Sequence, residues 1–403
     1  HLVLKHLQGH FSLGRFSLVC QMAVTTLAGH RRRHAPDVVI GDVADGLGSA
    51  AVFYYPEILH TDVRGEVIVI DGQGQFIRKI STQGMVTTIL NTATSGIRSL
   101  NANCAVSNSV GEVLFSCVKT CAIYKLAEGG TISTLAGDGI RRGLSSIPAD
   151  GQGAAASFVH PGAMTLDGDE NLVIADGTRL RRVSPQGIVT TLVDFQDTCG
   201  LSNDIAPNWI NAVVVAPNGS IFVADQVNGC IRELSCAGIV TTLAGTVARF
   251  QFLNGMTLDG DGNLIVADML NNSVCKVTLN GVVTTLAGSG EGSPFYLPGA
   301  VDMSPTGDII VANTGFHCIQ LIAAHLRPPV HPTKWKFLMT RMLFRMGRLV
   351  AAGRAGMRVK ITATLMHDGS LAFAQPALSD LQTLSMHLCQ LPGNLIHKIV
   401  SMS

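Results

Sequence analysis

The chain has 403 residues, 47% hydrophobic and only 14% charged, with 43 glycines. That balance excludes a disordered chain and fits many short strands joined by tight turns. The net charge of +1 conceals a split: residues 24–325 hold 17 Lys and Arg against 26 Asp and Glu, a net of −9, and residues 326–403 hold 10 against 2, a net of +8.

Residues 1–23 are apolar and basic without a signal-peptide cleavage site and are expected to be poorly ordered. Val24–Gly29 (VTTLAG) reads as a strand of the kind that ends each later repeat, with no companions before it. A linking loop follows, Asp45–Phe53 with Pro56. The first full repeat runs to Leu90, with Glu66–Asp71 as second strand and Met85–Leu90 as fourth. The second, Ile97–Gly137, ends its second strand on Cys117 where the others have Asp or Asn. A second linking loop, Asp150–Phe158 with Pro161, leads into the third repeat, Phe158–Val193, and the fourth spans Asn208–Gly245.

The fifth repeat is the clearest. Gly255–Leu258, Asn263–Ala267, Ser273–Thr278 and Val282–Leu286 read as four strands, with an Asp/Gly turn at Asp259–Gly262. Asn280-Gly281 is the dipeptide that suits a two-residue hairpin loop. The sixth repeat runs from Phe295 to about Ala324, with Asp308–Ala312 and Cys318–Ile322 as its second and third strands. It has no fourth. In most repeats the fourth strand starts 15 residues after the Asp that ends the second, as from Asp71 to Val86, Asp225 to Val240 or Asp268 to Val283; from Asn313 that count lands on Pro328. Proline cannot donate to a sheet ladder. An orphan strand at one end and a missing one at the other predict an all-β, six-bladed β-propeller over residues 24–325, closed by Val24–Gly29, because closure removes exposed sheet edges.

Asp261-Gly-Asn-Leu-Ile-Val-Ala-Asp268, Pro217-Asn-Gly-Ser-Ile-Phe-Val-Ala-Asp225 and Asn313-Thr-Gly-Phe-His-Cys-Ile-Gln320 resemble NHL repeats. The recurring VTTLAG segments and the two linking loops resemble the long-linker variety of that family. The family's usual Asn-His-Arg is replaced here by Asn228-Gly-Cys230, Asn272-Ser-Val274 and Phe316-His-Cys318. The resemblance implies a non-enzymatic binding platform, with protein as the expected partner. It also implies two alternatives: a lactonase- or lyase-like enzyme with a metal in the central channel, and an RNA-binding propeller. A convergence of carboxylate, amide and imidazole groups at the channel mouth would favour the enzyme.

Asp71, Asp176, Asp225, Asp268 and Asn313 recur after the second strands. Hydrogen bonding to neighbouring backbone N–H groups is their first expected role; lining a shared ligand face is the second. No cofactor is predicted, with calcium and zinc left open. Asp259–Asn263 and Asp167–Asn171 resemble the start of a calcium loop, but Leu270 and Thr178 stand where it needs a bidentate Glu, so both read as hairpin turns. His60, His160 and His317 hold non-equivalent repeat positions, so a three-histidine zinc site has no support in the pattern. Gly46–Ala51 and Gly151–Ala156 match G-x-G-x-x-A without the surrounding βαβ unit and read as linkers. Arg31–Arg33, Arg141-Arg142 and Arg179–Arg182 are the basic clusters, set in an acidic ring that makes nucleic acid an unfavoured partner. The ten cysteines are scattered without C-x-x-C, which points to reduced thiols in an intracellular, cytoplasmic protein.

Past the ring, residues 326–403 read as a basic, partly helical tail. Trp335–Val350 places Arg341, Arg345 and Arg348 on one helical face, with Trp335 among the apolar ones. Such a helix suits weak contact with an anionic membrane, a partner groove, or the acidic ring itself.

Overall fold

The computed structural model describes residues 24–30, 42–97, 100–143, 146–195, 210–245, 250–289 and 292–323, together with two short strands, Ala363–Leu365 and Leu371–Phe373, that pair antiparallel. Residues 1–23, the Arg31–Arg33 cluster and the tail residues Trp335, Arg341, Arg345 and Arg348 lie outside the described residues.

Val24–His325 forms one unit, an all-β propeller of six antiparallel sheets. The innermost strands are Ile58–Thr61, Cys104–Ser107, Pro161–Leu166, Ile210–Val215, Leu253–Leu258 and Pro298–Met303, for blades 1 to 6. Each touches the next, and the sixth touches the first, so the ring is closed. The second strands are Val67–Asp71, Val113–Cys117, Leu172–Asp176, Ile221–Asp225, Leu264–Asp268 and Ile309–Asn313, and every residue in them is buried. Their continuous apolar runs follow from having a blade packed on both faces. The outermost strand of blade 6 is Val24–Gly29, paired antiparallel with Cys318–Ile322 in the register Val24 to Ile322. The orphan strand thus completes the blade that lacked one.

Two details differ from the sequence-based expectation. The hairpin at Asn280-Gly281 is not a two-residue loop. Gly281 N–H donates to Thr278 O and Thr278 N–H to Val282 O, which makes a three-residue loop with Gly281 at φ +79°. A turn with one left-handed glycine at its end matches strand twist as well as a primed two-residue turn does. The linking loops are also more than connectors. Gly46–Leu47 and Gly151–Gln152 each add a fifth strand outside the fourth strand of blades 1 and 3.

The outer hairpin tips of the odd blades press on the preceding blade. A Cβ on Gly187 (blade 3) would stand 2.4 Å from Leu135 O, and one on Gly281 (blade 5) 2.4 Å from Leu243 O. On Gly84 (blade 1) the nearest atom, Leu27 O, is 3.6 Å away, and the corresponding glycines of blades 2 and 4, Gly130 and Gly238, have nothing within 4 Å. All five have positive φ. Gly130→Ala and Gly84→Ala are therefore expected to cost about 1 kcal/mol from backbone strain alone. Gly187→Ala and Gly281→Ala should cost at least about twice that, because a carbonyl must also move. Equal urea midpoints for all four variants would refute this inter-blade contact.

Candidate functional site

The recurrent second-strand residues are buried: Asp71, Asp176, Asp225 and Asn313 are 0% exposed and Asp268 4%. Each works inside its own blade. Asp71 accepts from Tyr54 N–H at 2.8 Å and from Arg78 Nη1 at 3.0 Å. Asp176 accepts from Val159 N–H at 2.8 Å and Arg181 Nη1 at 3.1 Å. Asp225 takes Asn228 Nδ2 at 2.7 Å and Arg232 Nε at 2.9 Å. Asp268 takes Gln251 N–H at 2.9 Å and Asn271 Nδ2 at 2.7 Å. Asn313 accepts from Tyr296 N–H at 2.9 Å and donates to Gln320 Oε1 at 2.6 Å. In blades 1, 3, 5 and 6 these side chains latch the chain entering the innermost strand onto the end of the second. In blades 1, 3, 4 and 6 the third strand supplies the partner. That partner stands seven residues on in blades 1, 4 and 6 (Arg78, Arg232, Gln320), a spacing visible in the sequence but not used there.

In blades 1 and 3 the latch extends to the linking loop. Arg78, with its side chain 0% exposed, bridges Asp71 and Asp45 at 3.0 Å each, and its guanidinium carbon lies 4.5 Å from the Phe53 ring centre. Arg181 repeats this with Asp176 at 3.1 Å, Asp150 at 2.8 Å and Phe158 at 5.4 Å. Burial pushes the Asp71 carboxyl up to about 6 despite Arg78, and burial likewise raises Asp176 and Asp268.

The groups that do converge lie fourteen residues before each latch position: Glu57, Asn103, Gly162, Asn211, Asn254 and Gly299. Each stands at or just inside the start of an innermost strand, so the six ring the channel at one end. In blades 3 to 6 the position falls in a register shift that re-aims the backbone. Glu57, Asn103, Gly162, Asn211 and Asn254, with His160, line a cavity of about 290 Å3. Asn211 Nδ2 donates to Asn254 Oδ1 at 3.0 Å, and Asn103 Oδ1 accepts from Val118 N–H at 2.8 Å. Gly299 leaves an opening: a Cβ there would meet Thr314 Oγ1 at 2.3 Å, Glu57 O at 3.3 Å and Asn254 Nδ2 at 3.4 Å. Burial alone raises the Glu57 carboxyl, and no described residue donates to it or pairs with it. Burial lowers the His160 imidazole, with Asp176 opposing, which favours its neutral form. Carboxylate, amide and imidazole groups therefore meet at the mouth. The sequence offered a signal for this ring, the constant offset from the latch, but the residue type changes from blade to blade.

The three histidines do not meet. His160 is at the mouth, His317 is at the seam of blades 6 and 1 with its Nδ1 accepting from Tyr55 N–H at 3.1 Å, and His60 lies toward the other end of the channel beside Asp302. Among the described residues no group of three or more His, Cys, Asp or Glu could hold a metal ion. The two segments read as hairpin turns, despite their likeness to the start of a calcium loop, are Asx turns: Asp259 Oδ1 accepts from Asp261 and Asn263 N–H, and Asp167 Oδ1 from Asp169 and Asn171 N–H. The described basic clusters are largely neutralised by ion pairs, Arg142 with Asp138, Arg179 with Asp194, Arg181 with Asp176 and Asp150, and Arg182 with Asp167.

No family model matches the chain. Its fold is similar to that of a protein of unknown function from Bacteroides thetaiotaomicron, with 18% identity and a TM-score of 0.56 over 74% of this chain and 75% of that one. It is also similar to an auxiliary nutrient binding protein from Bacteroides ovatus, with 13% identity and a TM-score of 0.56 over 77% of each chain. A putative gluconolactonase shares 13% identity at a TM-score of 0.50 over 76% of this chain and 93% of that one. At these identities the likeness is one of fold, and the six-bladed propeller is what it shows.

Proposed function

We propose that this chain is an NHL-type binding propeller whose ligand seat is the channel mouth, and that the ligand is small and presents a cationic or hydrogen-bond-donating group to Glu57. The observation that carries this reading is the half-buried Glu57 carboxylate, which lines a polar cavity and has no partner among the described residues. A carboxylate drawn partly out of water without a partner, where six strands converge, leaves room for an occupant that supplies one. Asn103, Asn211 and Asn254 supply both donors and acceptors around it. Two further readings have specific support. Exposed Val227, Phe252 and Leu270, near the latch ends of blades 4 and 5, favour a protein partner. The meeting of carboxylate, amide and imidazole groups at the mouth is the arrangement expected of the enzyme, and neutral His160 facing the same cavity as Glu57 favours acid–base chemistry on the ligand, which His160→Ala would abolish while leaving binding in place.

A binding seat held at the expense of stability has a measurable signature. Glu57→Gln is expected to stabilise the ligand-free protein by up to about 1 kcal/mol at pH 8, since it removes an unpaired, partly desolvated charge. The folded-state pKa lies above the ordinary 4.5. The penalty of wild type is therefore full above the folded value and fades as pH falls through it. The two melting curves should converge near pH 4. A variant less stable than wild type at pH 8 would show that Glu57 is structural and remove the reading.

A further inference from the structure

Resting on the mouth as ligand seat, we infer that the ligand is a small neutral polyol, held through several of its hydroxyl groups by Glu57, Asn103, Asn211 and Asn254. The hydrogen-bonding groups left over at the mouth are the first argument. Asn103 is fixed in orientation, because Val118 N–H can only donate: Oδ1 takes that bond, and the amide NH2 has no partner among the described residues. Asn211 and Asn254 are joined by one bond, Nδ2 to Oδ1 at 3.0 Å. Turning both amides over exchanges their roles, and in either arrangement the pair keeps one oxygen and one NH2 without a partner. With the Glu57 carboxylate, the lining of one cavity thus presents two acceptors beside two NH2 donors. A hydroxyl both donates and accepts, and it rotates to suit its partners, so a ligand with several hydroxyls meets all four groups.

The rest of the lining is the second argument. Besides Glu57, the three asparagines and His160, the cavity is bounded by two isoleucines and by glycines and alanines. No Lys or Arg stands among the lining residues, so a carboxylate or phosphate would find no counter-charge there and would face Glu57. No Phe, Tyr or Trp stands among them, which leaves a quaternary ammonium group without a ring face. A calcium ion takes six to eight oxygens, whereas this lining turns two NH2 groups to the same space as its two uncommitted acceptors.

Size is the third. At about 290 Å3 the cavity is at the small end of the range for small-molecule sites, which suits a ligand of a monosaccharide's dimensions. Part of this room exists because Gly162 has no side chain. A Cβ there would come no nearer than 3.8 Å to Ala175 O and 3.9 Å to His160 O, which is ordinary contact. Gly162→Ala therefore suits the fold and adds its methyl to the cavity wall.

Titration calorimetry of the full chain with glucose, galactose, sorbitol and myo-inositol tests the inference. Saturable binding of at least one of them is expected. Glu57→Gln should weaken it about tenfold, Asn103→Ala about fivefold and Gly162→Ala at least about threefold. No saturable binding of any of the four, or binding that any of the three variants leaves unchanged, overturns the polyol assignment. Calcium chloride and choline chloride in parallel separate the two levels. Calcium or choline bound by wild type and lost in Glu57→Gln, with no polyol bound, would keep the mouth as the seat and remove the polyol. The seat itself fails only on the Glu57→Gln stability measurement.

Discussion

Deletion of residues 1–30 is expected to open the ring, whereas deletion of residues 1–20 should leave it closed. Val24–Gly29 supplies the outermost ladder of blade 6, with Ala28 fully buried and a Gly29 Cβ position only 2.9 Å from Phe53 and 3.1 Å from Cys318 Cα. Without this strand Cys318–Ile322 becomes an edge strand, and Phe53, 1% exposed, loses a neighbour. Several ladder hydrogen bonds at about 1 kcal/mol net each, plus the lost apolar contacts, put the cost at no less than about 4 kcal/mol. That is a large share of the stability of a typical domain. Size-exclusion chromatography and urea unfolding of the two truncations decide the matter. Two soluble monomers of equal midpoint would mean that the ring closes without Val24–Gly29.

Arg78→Ala is expected to be nearly as damaging, at about 3–5 kcal/mol, because it leaves Asp71 buried and uncompensated and frees Asp45 of the linking loop. Arg181→Ala should behave alike through Asp176 and Asp150. Asp71→Asn combined with Arg78→Met should lose less than the sum of the single changes, since the buried charge is gone. The pH dependence has a definite sign. With its folded value raised to about 6 from 3.8, Asp71 takes up a proton more readily in the folded state, so its contribution to stability improves as pH falls from about 6 toward 4. Without Arg78 the uptake starts at still higher pH. The Arg78→Ala penalty should therefore be smaller at pH 5 than at pH 8, by urea midpoints. A penalty that is flat or grows in acid would show that Asp71 stays ionised in the variant.

Blade number and closure were legible because they rest on phase: an Asp or Asn at the end of the second strand in five of six repeats, and in most of them the same distance from it to the fourth strand. Positions that read clearly by recurring identity, Asp71, Asp176, Asp225, Asp268 and Asn313, turned out to be latches buried within their own blades. The mouth has the opposite character. Glu57, Asn103, Gly162, Asn211, Asn254 and Gly299 share a position and differ in type. Repetition in a ring preserves what every blade needs for folding, and a ligand seat at the axis needs a different group from each blade. Pattern reading therefore found the scaffold and passed over the candidate site. The latch partners were missed for a simpler reason: a buried arginine is recognisable only once its two aspartates are known to flank it.

The contacts of the outer hairpin tips make the ring less symmetric than its six sheets suggest. Tips of blades 3 and 5 are pressed into blades 2 and 4, the tip of blade 1 leans on blade 6, and the tip glycines of blades 2 and 4, Gly130 and Gly238, have open space where a Cβ would stand. The extra edge strands of the linking loops likewise fall on blades 1 and 3. A close hairpin-tip contact thus recurs on alternate blades, superimposed on cores that run from blade to blade.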